Sequence, residues 1–174
     1  MEIDGRINQS GVAPLPLFTG RFLGRDAFVS MVRDAFACAS QEGWREIILS
    51  DTSFEDWPLN ERVVIDSLHA WAKSGRRLIM LAHGYDEVIR HHARFVSWRR
   101  TWGHLLDCRV NAGKGGADFV SAIWSTGWCM RRIDTLNNIG ICSADRRDIS
   151  DLKEILEGVR RFSRPAFPAS VLGL

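Results

Sequence analysis

Ile47-Ile48-Leu49 and Leu78-Ile79-Met80-Leu81-Ala82 are the two continuous apolar runs that decide how this chain is built. Runs so short and so free of alternation suit strands buried on both faces. The first empties into Ser50-Asp51-Thr52-Ser53 and the second into His83-Gly84, both polar turns. Between them Val63, Val64, Leu68 and Trp71 recur at helical spacing, with Pro58 opening the helix, Asp56 or Trp57 near its cap and Gly75 closing it. Strand, helix and strand in this order make a β-α-β unit, whose strands are expected to be parallel neighbours joined by a right-handed crossover.

Outward from that unit the pattern stays α/β. Phe28, Val29, Val32, Ala35, Phe36 and Ala39 predict a helix that starts near Asp26 and stops at Gly43. Residues 1–20, with three glycines and two prolines and no steady period, read as an extended lead-in. After the second strand a helix is expected from about Tyr85 to Trp102, then a strand at Cys108-Arg109-Val110 and a glycine-rich loop over 111–117. Phe119 to Trp124 and Trp128 to Ile133 flank Ser125-Thr126-Gly127 as a hairpin, and Ile139 to Cys142 is one more strand. A last helix begins near Asp148 or Ser150, carries Leu152, Ile155, Leu156, Val159 and Phe162, and stops before Pro165. The sum is a single α/β domain over 21–164, a sandwich with a mixed sheet flanked by helices, with a tail over 165–174 packed on it.

Composition narrows the class. With 45% hydrophobic and 25% charged residues in 174, the chain is that of a soluble globular protein with room for a real core. A formal charge of +2 gives no general attraction to nucleic acid, so a basic surface has to come from local clustering. Cys38, Cys108, Cys129 and Cys142 are far apart and include no C-x-x-C, which leaves neither a zinc nor a redox site and predicts buried free thiols. Glu2 and Asp4 stand where a signal peptide is positive, and no apolar run approaches the about 18 residues that cross a bilayer, so a cytoplasmic protein without membrane attachment is expected.

The clustering is supplied by the stretch from Val88 to His104, with four arginines and three histidines. Val88, His91 or His92, Phe95, Trp98, Trp102 and Leu105 share one stripe, which should face the core. One of the two adjacent histidines is therefore expected to turn inward and bond a buried partner. His91, His92, Arg94, Arg99 and Arg100 form a candidate anion site, because guanidinium forks and imidazoles recognise phosphate or carboxylate. The competing reading is a solvated face whose acidic start at Asp86-Glu87 and basic end match the helix dipole, with arginine stems over the tryptophans. No metal site and no cofactor motif is found: adjacent helical histidines diverge by about 100°, and P-loop, G-x-G-x-x-G and G-x-S-x-G patterns are absent. Asp51 and His83 are secondary candidates, since both follow parallel strands at the end where open α/β sheets bind ligands.

The order of elements, with Trp124 to Asp134 followed by Asn138 to Asp145 and a closing helix, resembles one half of a phospholipase D-like domain over roughly 22 to 164. That resemblance implies a His-x-Lys on the hairpin strand, the His attacking phosphorus and the Lys neutralising its oxygens. This chain has no His-x-Lys; the hairpin carries Trp128-Cys129-Met130-Arg131-Arg132 instead, and His92-Ala93-Arg94 sits on another element. The resemblance thus implies that the family's reaction has been lost, and it supplies no catalytic residue.

Three functional readings follow. The first is a non-catalytic binding or assembly module, with a homodimer, a protein partner or a phosphate-bearing ligand; seven tryptophans offer interface anchors. The second is a phosphodiesterase or phosphatase-type hydrolase using His91 or His92 with an arginine clamp. The third, ranked last, is nucleic-acid binding through the same arginines with Trp98 or Trp102 stacking on bases.

Overall fold

In a computed structural model, which describes residues 16–74, 76–111 and 119–168, the two apolar runs pair in parallel, with Ile47 opposite Leu78 and Leu49 opposite Met80. The elements in order are β1 (Gly20–Leu23), α1 (Arg25–Glu42), β2 (Glu46–Ser50), α2 (Arg62–Ala72), β3 (Arg77–Ala82), α3 (Asp86–His91), α4 (Ala93–Trp102), β4 (Leu106–Val110), β5 (Ser121–Trp124), β6 (Cys129–Asp134), β7 (Ile139–Ser143), α5 (Arg146–Arg161) and β8 (Arg164–Pro165), with a 3-10 turn at Gly103–Leu105. They build one eight-stranded mixed sheet in the order β1-β7-β6-β5-β2-β3-β4-β8. Only β2-β3 and β3-β4 are parallel, as a repeated strand-helix-strand path requires, and the hairpin β5-β6 adds antiparallel strands on the other side of β2.

Register converts this into two cores. Cys108, Met80, Leu49, Ile123, Met130 and Cys142 are successive partners across six strands, so they share one face, which is covered by α1, α2 and α4. Two of the cysteines are thereby explained as core members, and all four are buried free thiols. Burial holds the Cys142 thiol up at about 12 and that of Cys129 at about 11, which leaves both inert at neutral pH. Ile48, Ile79, Leu81, Ala122 and Trp124 face the other way, under Ile149, Leu152 and Leu156 of α5. The Asp145 carboxylate caps α5 by accepting from Arg147 N at 2.8 Å, and Trp124 Nε1 donates to Ile149 O.

Several expectations need correction. The second helix begins at Arg62, not at Pro58, because residues 54–61 fold into turns that bury Trp57 and Leu59, and Val63 is exposed. Gly75 lies outside the described residues, as does most of the glycine-rich loop. The basic helix is two helices: His92, at φ −120 and ψ 55, breaks the spiral between α3 and α4. The lead-in ends sooner than expected, since Gly20 already opens β1, where the Phe22 ring fills the space over Gly140; a Cβ there would lie 2.6 Å from the Arg131 carbonyl oxygen. Of the expected tail, Arg164–Pro165 pairs with β4 as an edge strand, where proline's missing N–H costs nothing, and Phe167 packs on the core. Five tryptophans are buried in the core, so few remain as surface anchors. No described helix is long and apolar enough to cross a membrane.

Candidate functional site

On β6 the side chains alternate, and Arg132 has the same parity as the core residue Met130. Its guanidinium is therefore carried inward, to 1% exposure, beside the end of β2. Nε donates to Ser121 Oγ at 2.8 Å, Nη1 to Asp56 Oδ2 and to Asn138 Oδ1 at 2.9 Å, and Nη2 to Asp51 Oδ1 at 2.9 Å and Asp56 Oδ1 at 3.1 Å. Every donor of the fork is used, and its face lies 4.0 Å from the centre of the Phe28 ring. Asp51 is equally committed, because its other oxygen accepts from Ser53 N and Phe54 N and so shapes the loop after β2. This is a closed ionic network in the hairpin region where the resemblance leads one to look for a nucleophile. Arg132 was missed in the sequence, although its inward parity was the signal: a charge in a core position needs a partner.

The secondary candidates lie on adjoining loops, with His83 N donating to Thr52 O at 3.0 Å, but their side chains are not bonded. His83 is exposed with its ring 4.4 Å from that of Phe119, and no hydrogen bond or ion pair joins its side chain to Asp51 among the described residues.

The histidine and arginine cluster is dispersed over several sides of α3 and α4. His92 turns inward, 4% exposed, and donates Nε2–H to Phe54 O at 2.7 Å, while its Nδ1 is buried without a partner. Desolvation holds it below the ordinary histidine value, so it is neutral in the fold. His91 points out and pairs with Glu87 at 3.0 Å. Glu55, brought over by the loop after β2, completes with Glu87 and His91 a set whose ligand atoms all lie within 4.8 Å of one another. These groups are largely exposed, and the His91–Glu87 pair alone explains the contact. Arg94 reaches across to Asn60 O at 2.9 Å and lines a groove with Arg62, His69 and Trp102.

Of these candidates Arg99 and Arg100 line one cavity together, a cleft of about 360 Å³ between α3, α4, the end of β4 and the segment after β8. Arg99 is 6% exposed, its Cζ 4.2 Å from the centre of the Phe167 ring rather than over a tryptophan. Its Nε is buried without an acceptor, and no carboxylate among the described residues pairs with it; the neighbouring Asp107 is held by Arg77, Arg109 and Arg160. The Cys108 thiol touches it but is kept protonated by burial.

No family model and no curated protein matches the chain. Solved structures do match. TrmBL2, an archaeal chromatin protein described as showing a novel mode of DNA binding, aligns over 87% of this chain and 55% of its own, with TM-score 0.64 and 12% identity. NucT from Helicobacter pylori aligns over 86% of this chain and 99% of its own, with TM-score 0.56 and 8% identity. Polyphosphate kinase from Porphyromonas gingivalis aligns over 84% of this chain and 27% of its own, with TM-score 0.55 and 12% identity. The fold is phospholipase D-like. The chain spans about half the length of TrmBL2, and at these identities the likeness reaches no further than the backbone. On this phospholipase D-like sheet, Trp128, Cys129 and Met130 of the hairpin are all buried, and Trp128 Nε1 donates to Phe18 O.

Proposed function

We propose that this chain is a non-catalytic binding module on a phospholipase D-like fold, and that its ligand is an anion seated beside Arg99 and Arg100. The observation that carries the reading is Arg99 itself. A buried guanidinium without a carboxylate costs several kcal/mol of desolvation, which the Phe167 ring and the Cys108 thiol offset only in part. Placed on the wall of a cleft, such a group is complementary to a negative ligand. The absence of catalysis is supported from two sides. The hairpin strand carries no histidine to act as nucleophile, its inward arginine, Arg132, is saturated, and the cation it exposes, Arg131, has none beside it on the strand. The hydrolase alternative needs a histidine that a substrate held by the arginines can reach, whereas His92 is 4% exposed and His91 does not line the cleft of Arg99 and Arg100.

Purified protein should hydrolyse bis(p-nitrophenyl) phosphate and p-nitrophenyl phosphate no faster than buffer. Turnover that disappears in His91→Ala or His92→Ala would overturn the non-catalytic reading. Nucleic-acid binding is kept as a second reading because Arg62, Arg94, His69 and Trp102 line one half-open groove and because TrmBL2, of similar fold, is described as binding DNA. Its mark would be oligonucleotide affinity that falls steeply with salt and is lost in Arg94→Ala.

A further inference from the structure

The cleft beside Arg99 restricts the chemistry of its occupant. Its walls are mainly Ile89, Val96, Val110, Ala166 and Phe167. Tyr85 adds a ring stacked on Phe167 at 4.9 Å, but not a polar group, since its hydroxyl already bonds Met80 O and Arg109 O and accepts from Arg109 N. Burial raises that phenol far above its usual range, so it contributes no charge. The ionic groups that remain on the cleft are Arg99, Arg100 and one carboxylate, Asp86. Two cations against one anion leave room for a single negative charge.

Resting on the reading of this cleft as an anion seat, we infer that the ligand is a small organic monocarboxylate with an aryl or alkyl body. A carboxylate matches one edge of a guanidinium in two parallel hydrogen bonds, and Arg99 brings a guanidinium without a carboxylate partner to the cleft wall. The Phe167 ring holds the guanidinium plane in place before the ligand arrives. A phosphomonoester or nucleotide fits less well: a second negative charge would meet Asp86, and the apolar walls offer nothing to a sugar's hydroxyls. The volume, near the lower end of ordinary ligand pockets, selects a small molecule.

Calorimetry on the full chain with phenylacetate, octanoate, methyl phenylacetate, inorganic phosphate and AMP tests this. The two acids should bind with Kd on the order of 10⁻⁴ M, from the affinity that ligands of about ten heavy atoms reach. The ester should bind at least about tenfold more weakly, and Arg99→Met, checked for folding by circular dichroism, should weaken both acids by a similar factor. The ester comparison needs no variant, so a misfolded Arg99→Met does not spoil the test. Phosphate or AMP binding that depends on Arg99, with the acids no tighter, would leave the anion seat standing and overturn the carboxylate class. Acid and ester of equal affinity, or no binding by any probe, would overturn both.

Discussion

Arg132→Ala should lower the unfolding free energy by about 3–5 kcal/mol, the usual result of removing one partner from a buried ion pair. The size comes less from the bonds lost than from what is left behind: Asp51, 4% exposed, would have only two backbone N–H groups to hold it. Ser121 and Asn138 would lose partners as well, and the Phe28 ring its cation. Arg132→Lys restores the charge but not the fork, and should recover only part of the loss. Urea melts decide the matter; a loss under about 1 kcal/mol for Arg132→Ala would mean that the network does not hold β2, β5 and β6 together.

The second large effect is expected at His92. His92→Ala leaves a cavity and an orphaned Phe54 carbonyl, together about 2–4 kcal/mol, whereas His92→Leu fills the space and should cost less. His91→Ala should change stability by under about 0.5 kcal/mol, since its pair with Glu87 is exposed. The pH dependence has a fixed sign. Because the folded protein holds His92 below its ordinary value of about 6.5, the unfolded chain binds the proton first. His92 therefore supports the fold fully above about pH 6.5 and loses that support as pH falls below it. In His92→Leu that part of the acid-side decline should vanish. Equal losses at His91 and His92, or an unchanged acid limb, would contradict the inward placement of His92.

What the sequence made legible follows from how local each signal is. Ile47-Ile48-Leu49 and Leu78 to Ala82 are buried on both faces, so their composition alone identifies them, and their parallel pairing follows from chain length and handedness. The edge strands β1 and β8 carry no such signal: Phe22 is specified by the bare surface of Gly140, and Pro165 by the open edge of β4. Pro58 was misread because a helix-opening proline and a turn proline look alike when Trp57 and Leu59 beside it are core residues.

At the site the same division holds. The stripe from Val88 to Trp98 and an inward histidine were readable from period, and the structure places His92 there. The ring that lies on Arg99, Phe167, arrives from the far end of the chain. Glu55 reaches His91 by a loop that no spacing rule predicts. The histidines and arginines read as one cluster are close along the chain, but at about 100° per residue Arg94 leaves α4 on a different side from Arg99 and Arg100, and the turn at His92 separates only His91 from them.

On the proposed reading ligand binds at the α3–α4 cleft, and not at the strand ends around Arg132. Titrating phenylacetate into ¹⁵N-labelled protein and following backbone amides by NMR tests it directly. Shifts are expected to concentrate at Tyr85, Ile89, Val96, Arg99 and Phe167. Shifts concentrated instead at Asp51, Asp56, His83 and Arg132 would contradict it.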